Sequence, residues 1–473
     1  MLIVRNKPTR KGSSKMFVGR KEELERIQKV ISRPGMGTIL IYGRRRIGKS
    51  ELIKQVLKGY SGTGIYYECR QVAEASNAAA LCEVVSEELG LPKLGYGRLE
   101  EILEYLFKLS VSRELLLVLD EYPYLRENVK GVDSILQSVI DRYRDEAKIK
   151  FVILGSYVEI MKSLVGHDNP LYGRMDLVLD LKQMNYRESA LFYPGFSAED
   201  RVRIYSVFGG IPYYNRLVDD SVSVKENITE LIASPGARLE NEVSMYLNAE
   251  ISKLSNANEV FGALAGGYSK YSDILSQSHV SSGPTLVDVL ERLIRMEVVT
   301  KTAPINDPTN KKKTSYHICD NLSLFYYRYV FRYSSQMKIM NPGTFYEKYI
   351  WDDFETKFVP HQFEEVCRQY LIEKNRNGDL EPVFDKIGKY YYDDPKKKKN
   401  GEFDIVTEDE RGYVFYEVKF RKGPLSESMI KKEIEQVKET GLDCYKYVFF
   451  LRTSDNIRKP ENTEFILLQK LYE

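Results

Sequence analysis

The sequence predicts an α/β protein with a parallel sheet in its first part, followed by helical segments and a second, smaller α/β module. Three apolar runs predict the sheet, because each has the length of a buried strand and is separated from the next by residues with helical spacing. They are Thr38–Tyr42, Leu115–Leu119 and KIKFVILG at 148–155. Two later changes of pattern predict the rest: short helices and a hairpin after about residue 251, and an amphipathic helix with three strands after residue 345.

Composition is that of an ordinary globular protein. The 473 residues include 70 basic and 68 acidic ones, so the net charge of +2 gives no argument about a nucleic-acid partner. Five cysteines without a CxxC spacing give no sign of structural zinc or a disulfide framework. The sequence has no apolar run of about 18 residues and no apolar segment of a leader, so we expect a cytoplasmic protein without a membrane span.

A glycine-rich loop lies between the first predicted strand and a predicted helix. The run GRRRIGKS has the spacing GxxxxGKS. Gly43 and Gly48 allow backbone angles that direct successive N–H groups at phosphate oxygens, and the start of the following helix adds the positive end of its dipole. Lys49 is expected to reach the outer phosphates, and the Ser50 hydroxyl to bind Mg²⁺. The strand–loop–helix context argues against a chance match.

Two acidic residues follow the second predicted strand. Asp120 and Glu121 come directly after Leu115–Leu119, and ligands of open α/β sheets bind at the carboxyl ends of parallel strands. Asp120 can bind Mg²⁺ through water, and Glu121 can polarise the water that attacks a γ-phosphate. Alone, the pair is equally typical of a solvated strand end. Together with the glycine-rich loop it favours nucleotide hydrolysis.

The third predicted strand ends at Gly155 and Ser156. A small polar residue such as Ser156 can hold the attacking water or the γ-phosphate. Further along the chain, Arg174 has two interpretations. It can sense the γ-phosphate, in its own pocket or in a neighbour's, or it can form a structural pair with Asp176.

Five segments together resemble a known family. They are FVGRKEELERI (17–27), GRRRIGKS (43–50), LVLDEYPYL (117–125), ILGSY (153–157) and LYGRM (171–175). They resemble prokaryotic AAA-type ATPases, often called the archaeal ATPase family, which are similar to the signal-transducing STAND ATPases. The resemblance implies a P-loop NTPase fold that binds ATP or ADP with Mg²⁺. It also implies that Val18, Gly19 and Arg20 run along the adenine.

The same resemblance implies a role for Pro212, in FGGIPYY, near the base or ribose. From the residues alone, Gly-Gly-x-Pro is only a turn that opens a helix. The candidate loop residues are Gly43, Arg44, Arg45, Arg46, Ile47, Gly48, Lys49, Ser50 and Glu51. Backbone N–H groups make the phosphate contacts of such a loop, so the three arginines can instead grip a carboxylate, another subunit or a DNA phosphate. The alternative is a solvated positive rim that attracts Mg·ATP.

The middle of the chain is predicted to be mostly helical. Residues 1–195 form the expected ATPase domain, and residues 196–250 a helical lid over the nucleotide. Residues 251–320 have the outline of a winged helix, whose two strands are joined by a loop with Lys311–Lys313. This module can bind DNA, or it can serve only for intramolecular packing. Its third helix has few basic residues at its start, so sequence-specific reading of bases is expected to be weak. The residues there are Ser281, Ser282, Thr285 and Asp288.

The last part is predicted as an aromatic helical linker, 321–344, that serves for packing, and an α/β module, 345–473. In the module, Asp404 lies on one strand of a hairpin, and Glu417 and Lys419 on the next. Residues two apart in a strand point to the same face, so Glu417 and Lys419 project together, and Asp404 joins them if the hairpin pairs suitably. Two carboxylates can then hold Mg²⁺ while the lysine orients water for phosphodiester cleavage. The alternative is a salt-bridged hairpin without catalysis.

This hairpin resembles the PD-(D/E)xK nuclease fold, a restriction-endonuclease-like α/β domain, and the ATPase family carries a similar C-terminal domain. The resemblance implies catalytic roles for Asp404, Glu417 and Lys419, with Glu364 and Glu402 as supports. It departs from the usual pattern at Phe403, where proline is common. The basic run Lys396–Lys399 beside the site is either a phosphate grip or a solvated turn.

The sequence as a whole predicts an ATPase that couples its nucleotide state to DNA binding or processing. Its expected partners are ATP, non-specific DNA, and another copy of the chain or a second protein, with no membrane. The alternative is a STAND-like signalling switch whose C-terminal modules bind without chemistry. A plain ATP-binding regulator of transcription is a third interpretation, and the lack of arginines in the third helix of the winged-helix outline argues against it.

Overall fold

The computed structural model describes residues 17–250, 254–394, 399–421, 423, 426–453 and 459–473. The chain divides into two compact units, the first ending at Lys182 and the second beginning at Gln183. Each unit is described by itself below. Among the described residues, no helix is long and apolar enough to cross a membrane.

The first unit is a five-stranded parallel sheet with helices between the strands, as the apolar runs predict. The strands are β1 (Gly37–Tyr42), β2 (Thr63–Glu68), β3 (Leu115–Asp120), β4 (Lys150–Gly155) and β5 (Leu177–Asp180). The helices are α1 (Lys21–Ile31), α2 (Lys49–Lys58), α3 (Glu74–Leu89), α4 (Leu99–Leu109), α5 (Pro123–Asn128), α6 (Val132–Tyr143) and α7 (Val158–Ser163).

Strand order places three strand ends side by side. The order is β2-β3-β4-β1-β5, and all four neighbouring pairs are parallel. The strands β1, β3 and β4 are buried along their whole length, which explains their continuous apolar runs. Because β4 lies between β1 and β3, the loops after all three strands begin at one edge of the sheet.

The second unit begins with helices and a short hairpin. The helices are α8 (Tyr186–Ala190), α9 (Ala198–Phe208), α10 (Pro212–Asn215), α11 (Val224–Leu231), α12 (Glu242–Glu250), α13 (Leu254–Ala265), α14 (Tyr271–Gln277) and α15 (Gly283–Arg295). The hairpin strands β6 (Val299–Thr302) and β7 (Ser315–Ile318) pair antiparallel. The elements expected of a winged helix are therefore present, and a DNA-binding role for them remains a prediction.

Aromatic side chains fill the helical segment that follows. It comprises α16 (Asn321–Phe325), a π-helical turn (Tyr326–Phe331), α17 (Ser334–Ile339), α18 (Pro342–Tyr349), α19 (Trp351–Asp353) and a second π-helical turn (Phe354–Phe358). Phe325, Tyr327 and Tyr329 are buried. Tyr327 stacks on Phe261 with ring centroids 4.6 Å apart. These three buried rings cannot stack on bases, whereas Phe331 and Trp351 are exposed, and a packing role for the whole segment remains a prediction.

The second unit ends in a mixed five-stranded sheet. The elements are α20 (Val359–Arg376), β8 (Lys386–Asp394), β9 (Lys399–Asp409), β10 (Gly412–Lys419), α21 (Glu427–Glu439), β11 (Cys444–Leu451), β12 (Thr463–Leu467) and a final 3₁₀ turn (Leu468–Tyr472). The strand order is β12-β11-β10-β9-β8. The pairs β8–β9 and β9–β10 are antiparallel, and β10–β11 and β11–β12 are parallel. Of the basic run Lys396–Lys399, only Lys399 lies within the described residues.

The loop of the β6–β7 hairpin packs on the edge strand of this sheet. The Ile305 N–H donates to the Lys389 carbonyl at 2.8 Å, and the Asn306 side chain bonds the backbone of Tyr391 at 2.7 and 3.1 Å. Lys313 forms a salt bridge with Asp307 at 2.8 Å and lies 4.1 Å from the Tyr391 ring centroid. Lys311–Lys313 in this loop are called the wing lysines below. Lys313 is thus bound to residues of the same unit, whereas Lys311 and Lys312 are exposed.

Candidate nucleotide and metal site

The loop after β1 has the backbone angles that its glycines predict. Gly43 has φ 153° and Gly48 φ 95°, and Arg46 between them has φ 68°. A Cβ on Gly43 would lie 2.4 Å from the Leu181 carbonyl oxygen. Residue 43 must therefore be glycine for the chain to turn here. Gly48 caps the amino end of α2, which points its unpaired N–H groups back into the loop.

Lys49 is buried beside this loop. Its Nζ donates to the carbonyl oxygens of Gly43 at 2.8 Å and Arg44 at 3.0 Å. Burial lowers the pKa of Lys49 to about 8, and the nearby charges of Glu121 and Asp120 partly oppose that shift. The ammonium is thus fixed at the start of the loop, 5% exposed.

Ser50 and Asp120 meet across the strand end. The Ser50 Oγ donates to Asp120 Oδ2 at 2.6 Å, and the Glu121 N–H donates to Asp120 Oδ1 at 2.8 Å. The Tyr66 hydroxyl donates to the same Oδ2 as Ser50. A hydroxyl and a carboxylate at this separation are oxygen donors of the kind that Mg²⁺ prefers. The residues therefore fit a magnesium ion held by Ser50 directly and by Asp120 directly or through water.

Glu121 follows Asp120 at the end of β3 and contacts Ser156, which follows the neighbouring strand β4. Its Oε1 accepts from the Ser156 Oγ at 2.7 Å, and its Oε2 from the Ser156 N–H at 3.3 Å. Glu121 has φ 51°, a conformation that non-glycine residues rarely adopt. Ser156 thus contacts the candidate general base directly, and its contact with water or phosphate remains a prediction.

The three loop arginines are not equivalent. Arg44 is buried, Arg46 is half-buried, and Arg45 is exposed. Of the two interpretations, the solvated positive rim fits the exposed Arg45 and does not fit the buried Arg44. Arg20 is also buried, and its Nη2 donates to the carbonyl oxygens of Ile47 at 3.3 Å and Lys182 at 2.6 Å. It stabilises the backbone of the loop from behind.

Arg174 forms a structural ion pair, but with a different aspartate from the one predicted. Its guanidinium binds both carboxylate oxygens of Asp141 at 2.8 and 2.7 Å, so its structural partner is Asp141 and not Asp176. Asp176 instead accepts from Thr38. The Thr38 hydroxyl also donates to the Arg174 carbonyl at 2.6 Å. Arg174 therefore lies at the amino end of β1, opposite the phosphate loop, and cannot sense a γ-phosphate in its own pocket.

The remaining residues predicted to contact the nucleotide lie on several different elements. Val18 and Gly19 are half-buried just before α1, and Glu51 is exposed in the first turn of α2. Pro212 opens α10 in the second unit. Its contact with a base or ribose remains a prediction from the resemblance.

A second charged cluster lies on the mixed sheet. The β9–β10 register pairs Ile405 with Tyr416, and one step further it places Asp404 opposite Glu417. Lys419 is ion-paired with Glu417 and lies 3.3 Å from Glu433 Oε1. The predicted residues are therefore neighbours.

This cluster also holds a lysine that the sequence did not suggest. Lys389 on β8 lies 2.7 Å from Glu402 and 3.5 Å from Asp404. Burial raises the pKa of Glu417 to about 7, and it raises the pKa of Glu364 as well. Among the described residues, no group of three or more His, Cys, Asp or Glu side chains is arranged to hold a metal ion. Asp404 and Glu417 are a pair of carboxylates rather than such a group, and their expected role in holding Mg²⁺ remains a prediction.

Tyr66, Asp141 and Lys389 are partners that sequence reasoning missed. None belongs to a motif, and each reaches its carboxylate or arginine from a distant part of the chain. Tyr66 is 54 residues from Asp120, and Arg174 is 33 residues from Asp141. The pairing of strands brings Tyr66 and Lys389 to their partners, and the packing of α6 brings Asp141 to Arg174.

Comparison with known proteins agrees with the geometry of the first unit. Residues 17–217 match the family model of an ATPase domain predominantly from Archaea. Residues 326–437 match a model described as Archaea bacterial proteins of unknown function. The match over the first part confirms the predicted archaeal ATPase domain and supports ATP binding. The nuclease-like identity of the last part remains a proposal.

Similar proteins come from archaea. An uncharacterized protein of Methanocaldococcus jannaschii is 27% identical over 459 residues, 96% of this chain and 98% of the relative. A Walker-type ATPase of Pyrococcus abyssi gives a TM-score of 0.47 at 18% identity, over 66% of this chain and 96% of that one. The Aeropyrum pernix ORC2 protein, solved in ADPNP–ADP complexes, gives 0.44 at 16% identity, over 69% and 97%.

Proposed function

We propose that the first unit binds ATP and hydrolyses it with Mg²⁺, and that the nucleotide state is coupled to DNA binding or processing by the second unit. One observation supports the hydrolysis above all: Ser50, Asp120, Glu121 and Ser156 form a continuous set of contacts at neighbouring strand ends. The match to an archaeal ATPase domain supports the same conclusion.

Each residue of this set has a separate task in the proposal. The α2 N–H groups and the Lys49 ammonium bind the phosphates. Ser50 and Asp120 hold Mg²⁺, which when bound balances the charge that develops on the phosphates. Glu121 takes the proton of the attacking water. Ser156 holds the Glu121 carboxylate, and this contact must shift if Glu121 is to face water.

The test is phosphate release from ATP by the full chain, with Mg²⁺ or with EDTA. We expect Mg²⁺-dependent turnover. Lys49→Ala is expected to weaken nucleotide binding by about 30-fold or more, because it removes a buried charge that faces the phosphates. The matched control is Lys58→Ala, an exposed lysine at the end of the same helix. Wild-type protein without Mg²⁺-dependent hydrolysis would overturn the proposal.

The role of the second unit has two candidates. In the first, Asp404 and Glu417 hold Mg²⁺ and Lys419 orients water for DNA cleavage, a proposal supported by the register of β9 and β10. In the second, the protein is a signalling switch, and this sheet binds a partner without chemistry. The switch is supported by Lys389, whose ammonium already lies beside Glu402 and Asp404.

DNA cleavage and stimulation by DNA separate the two candidates. Supercoiled, linear and single-stranded DNA are incubated with the full chain, with Mg²⁺ or Mn²⁺ and with or without ATP. Cleavage that is lost in Lys419→Ala supports the nuclease. If no DNA form is cut and ATP turnover is unchanged by DNA, the switch is the better account.

A further inference from the structure

Tyr66 belongs to none of the sequence motifs, yet its side chain contacts Asp120 at the end of the sheet where the proposed metal site lies. It lies on β2, where the register pairs it with Val118 of β3. Side chains two apart on a strand share a face, so Tyr66 and Asp120 lie on the same side of the sheet. The Tyr66 hydroxyl reaches along the strand and donates to Asp120 Oδ2.

The helix after the phosphate loop completes this arrangement. Ser50 and Lys54 are one turn apart on α2 and therefore share a face of the helix. Ser50 donates to Asp120 Oδ2 at 2.6 Å, and Lys54 Nζ lies 5.1 Å from the Tyr66 ring centroid. Tyr66 is thus held between α2 and β3, with its hydroxyl and that of Ser50 on one carboxylate oxygen.

We propose that Tyr66 is a positioning residue for the divalent cation, and that its hydroxyl fixes Asp120 in the orientation that Mg²⁺ requires. The inference rests on the proposed ATPase function. Mg²⁺ demands near-octahedral geometry and loses its bound water reluctantly, so a ligand or water-bridging carboxylate must be well oriented. Asp120 has three hydrogen-bond donors around it, from Ser50, Tyr66 and the Glu121 backbone. Ser50 would also hold the cation through a lone pair, so Tyr66 would be the one side-chain donor of these whose only task is to orient Asp120.

The alternative is that Tyr66 only packs. Tyr66→Phe separates the two, because it keeps the ring and the contact with Lys54 and removes only the hydroxyl. The matched control is Tyr67→Phe on the same strand, which removes a hydroxyl that donates to Asn77 at 2.7 Å, away from Asp120. Melting temperatures without nucleotide measure any general loss of stability in either variant.

The readout is the binding of ADP to the full chain at a series of Mg²⁺ concentrations and in EDTA. In Tyr66→Phe, we expect the Mg²⁺ concentration that gives half of the maximal increase in ADP affinity to be about 10- to 100-fold higher than in wild type. This is the usual range for the loss of a residue that orients a metal ligand. Its affinity in EDTA should stay within about twofold of wild type. The Mg²⁺ midpoint of Tyr67→Phe should not move.

A second arm replaces Mg²⁺ by Ca²⁺, whose coordination is more flexible. Tyr66→Phe should then shift the midpoint less than with Mg²⁺. An unchanged Mg²⁺ midpoint, or an equal loss of affinity in EDTA, overturns the role of Tyr66 and leaves the ATPase proposal standing. If Mg²⁺ and ADP do not bind the wild-type chain at all, both proposals fail.

Discussion

Asp120 in the first unit ends β3 and Asp404 in the second lies in the middle of β9, each with other acidic residues nearby, and the two carboxylates have different partners. Asp120 is 2% exposed and accepts hydrogen bonds from two hydroxyls and a backbone N–H. The Asp404 side chain is 51% exposed and has the Lys389 ammonium 3.5 Å away. The three donors to Asp120 are neutral, so they orient its carboxylate and leave its charge for the nearby Lys49 ammonium and for a cation. The Lys389 ammonium already balances the charge of Asp404, so a metal ion must displace the lysine.

The comparison suggests that the first unit is prepared for a divalent cation and the second is not. The next four experiments test this difference, from the largest expected effect to the smallest.

The most sensitive test of the first unit is Glu121→Gln. The amide oxygen can still accept from Ser156, but the side chain can no longer take a proton. We expect ATP turnover to fall by about 10²-fold or more while nucleotide binding is kept. The control is Glu127→Gln, an exposed residue on α5. Turnover that is equal in wild type and Glu121→Gln would remove Glu121 from the mechanism.

Lys49 provides a pH test of the same site. Its pKa of about 8 in the free protein should rise when phosphates bind, so binding should take up a proton above pH 8. We expect nucleotide affinity to weaken by less than about twofold from pH 7.5 to 8 and by up to about tenfold per pH unit well above 8. Lys49→Arg, which stays charged, should lose this dependence.

Lys49 also makes the stability of the protein depend on pH. Nucleotide affinity should fall as pH rises, whereas stability should increase. Because its folded pKa is lowered from 10.5 to about 8, the unfolded chain binds more protons between these values. The free energy of unfolding should therefore rise with pH across that window from this group. Denaturant titrations of the nucleotide-free wild type and Lys49→Met at pH 7 and pH 10 measure it. A difference between the two proteins that does not change with pH would contradict the assignment.

In the second unit, Glu417 is the corresponding test. Its pKa is raised to about 7 by burial, so between about pH 4.5 and 7 the folded state binds more protons and stability falls as pH rises. Glu417→Gln should remove this cost and raise the free energy of unfolding at pH 8 by about 1 to 3 kcal/mol. Glu410→Gln, an exposed residue at the β9–β10 turn, is the control.

Added metal turns the Glu417 experiment into a test of the comparison itself. If Mg²⁺ or Mn²⁺ stabilises wild type at pH 8 and Asp404→Asn removes that gain, the second unit binds a cation despite Lys389. The charge difference between the two sites would then not decide which of them takes metal.

Local patterns were sufficient for most of the first unit. The strands β1, β3 and β4 are continuous apolar runs, and the loop at 43–50 is recognisable because its glycines, lysine and serine are adjacent in sequence. The strands β2 and β5 were not predicted, since they lie at the sheet edges and are only partly buried. The half-buried pattern of β2 hides Tyr66, the residue that contacts Asp120.

Contacts that depend on strand order could not be predicted. Arg174 had two interpretations, a sensor of a γ-phosphate or a structural partner of Asp176, and the sequence could not show that β5 pairs with β1 and brings Arg174 to the start of β1. Lys389 lies beside Asp404 only because β8 pairs with β9 and faces the same side. A one-residue change of register would point these side chains to the other face, and no local sequence signal sets that register.

The smallest expected effect is that of replacing the wing lysines on the salt dependence of DNA binding. Each lysine that meets a phosphate adds about 0.9 to the slope of log affinity against log salt. Three lysines would change that slope by nearly 3, but Lys313 is already paired with Asp307 and lies on the Tyr391 ring. We therefore expect Lys311→Ala with Lys312→Ala to flatten the slope by up to about 2, and Lys313→Ala to add little.

Lys21→Ala with Lys29→Ala, two exposed lysines on α1, is the charge-matched control. An equal change in the control would mean that net charge and not the wing governs DNA binding, and an unchanged slope would mean that the wing serves only to pack against β8.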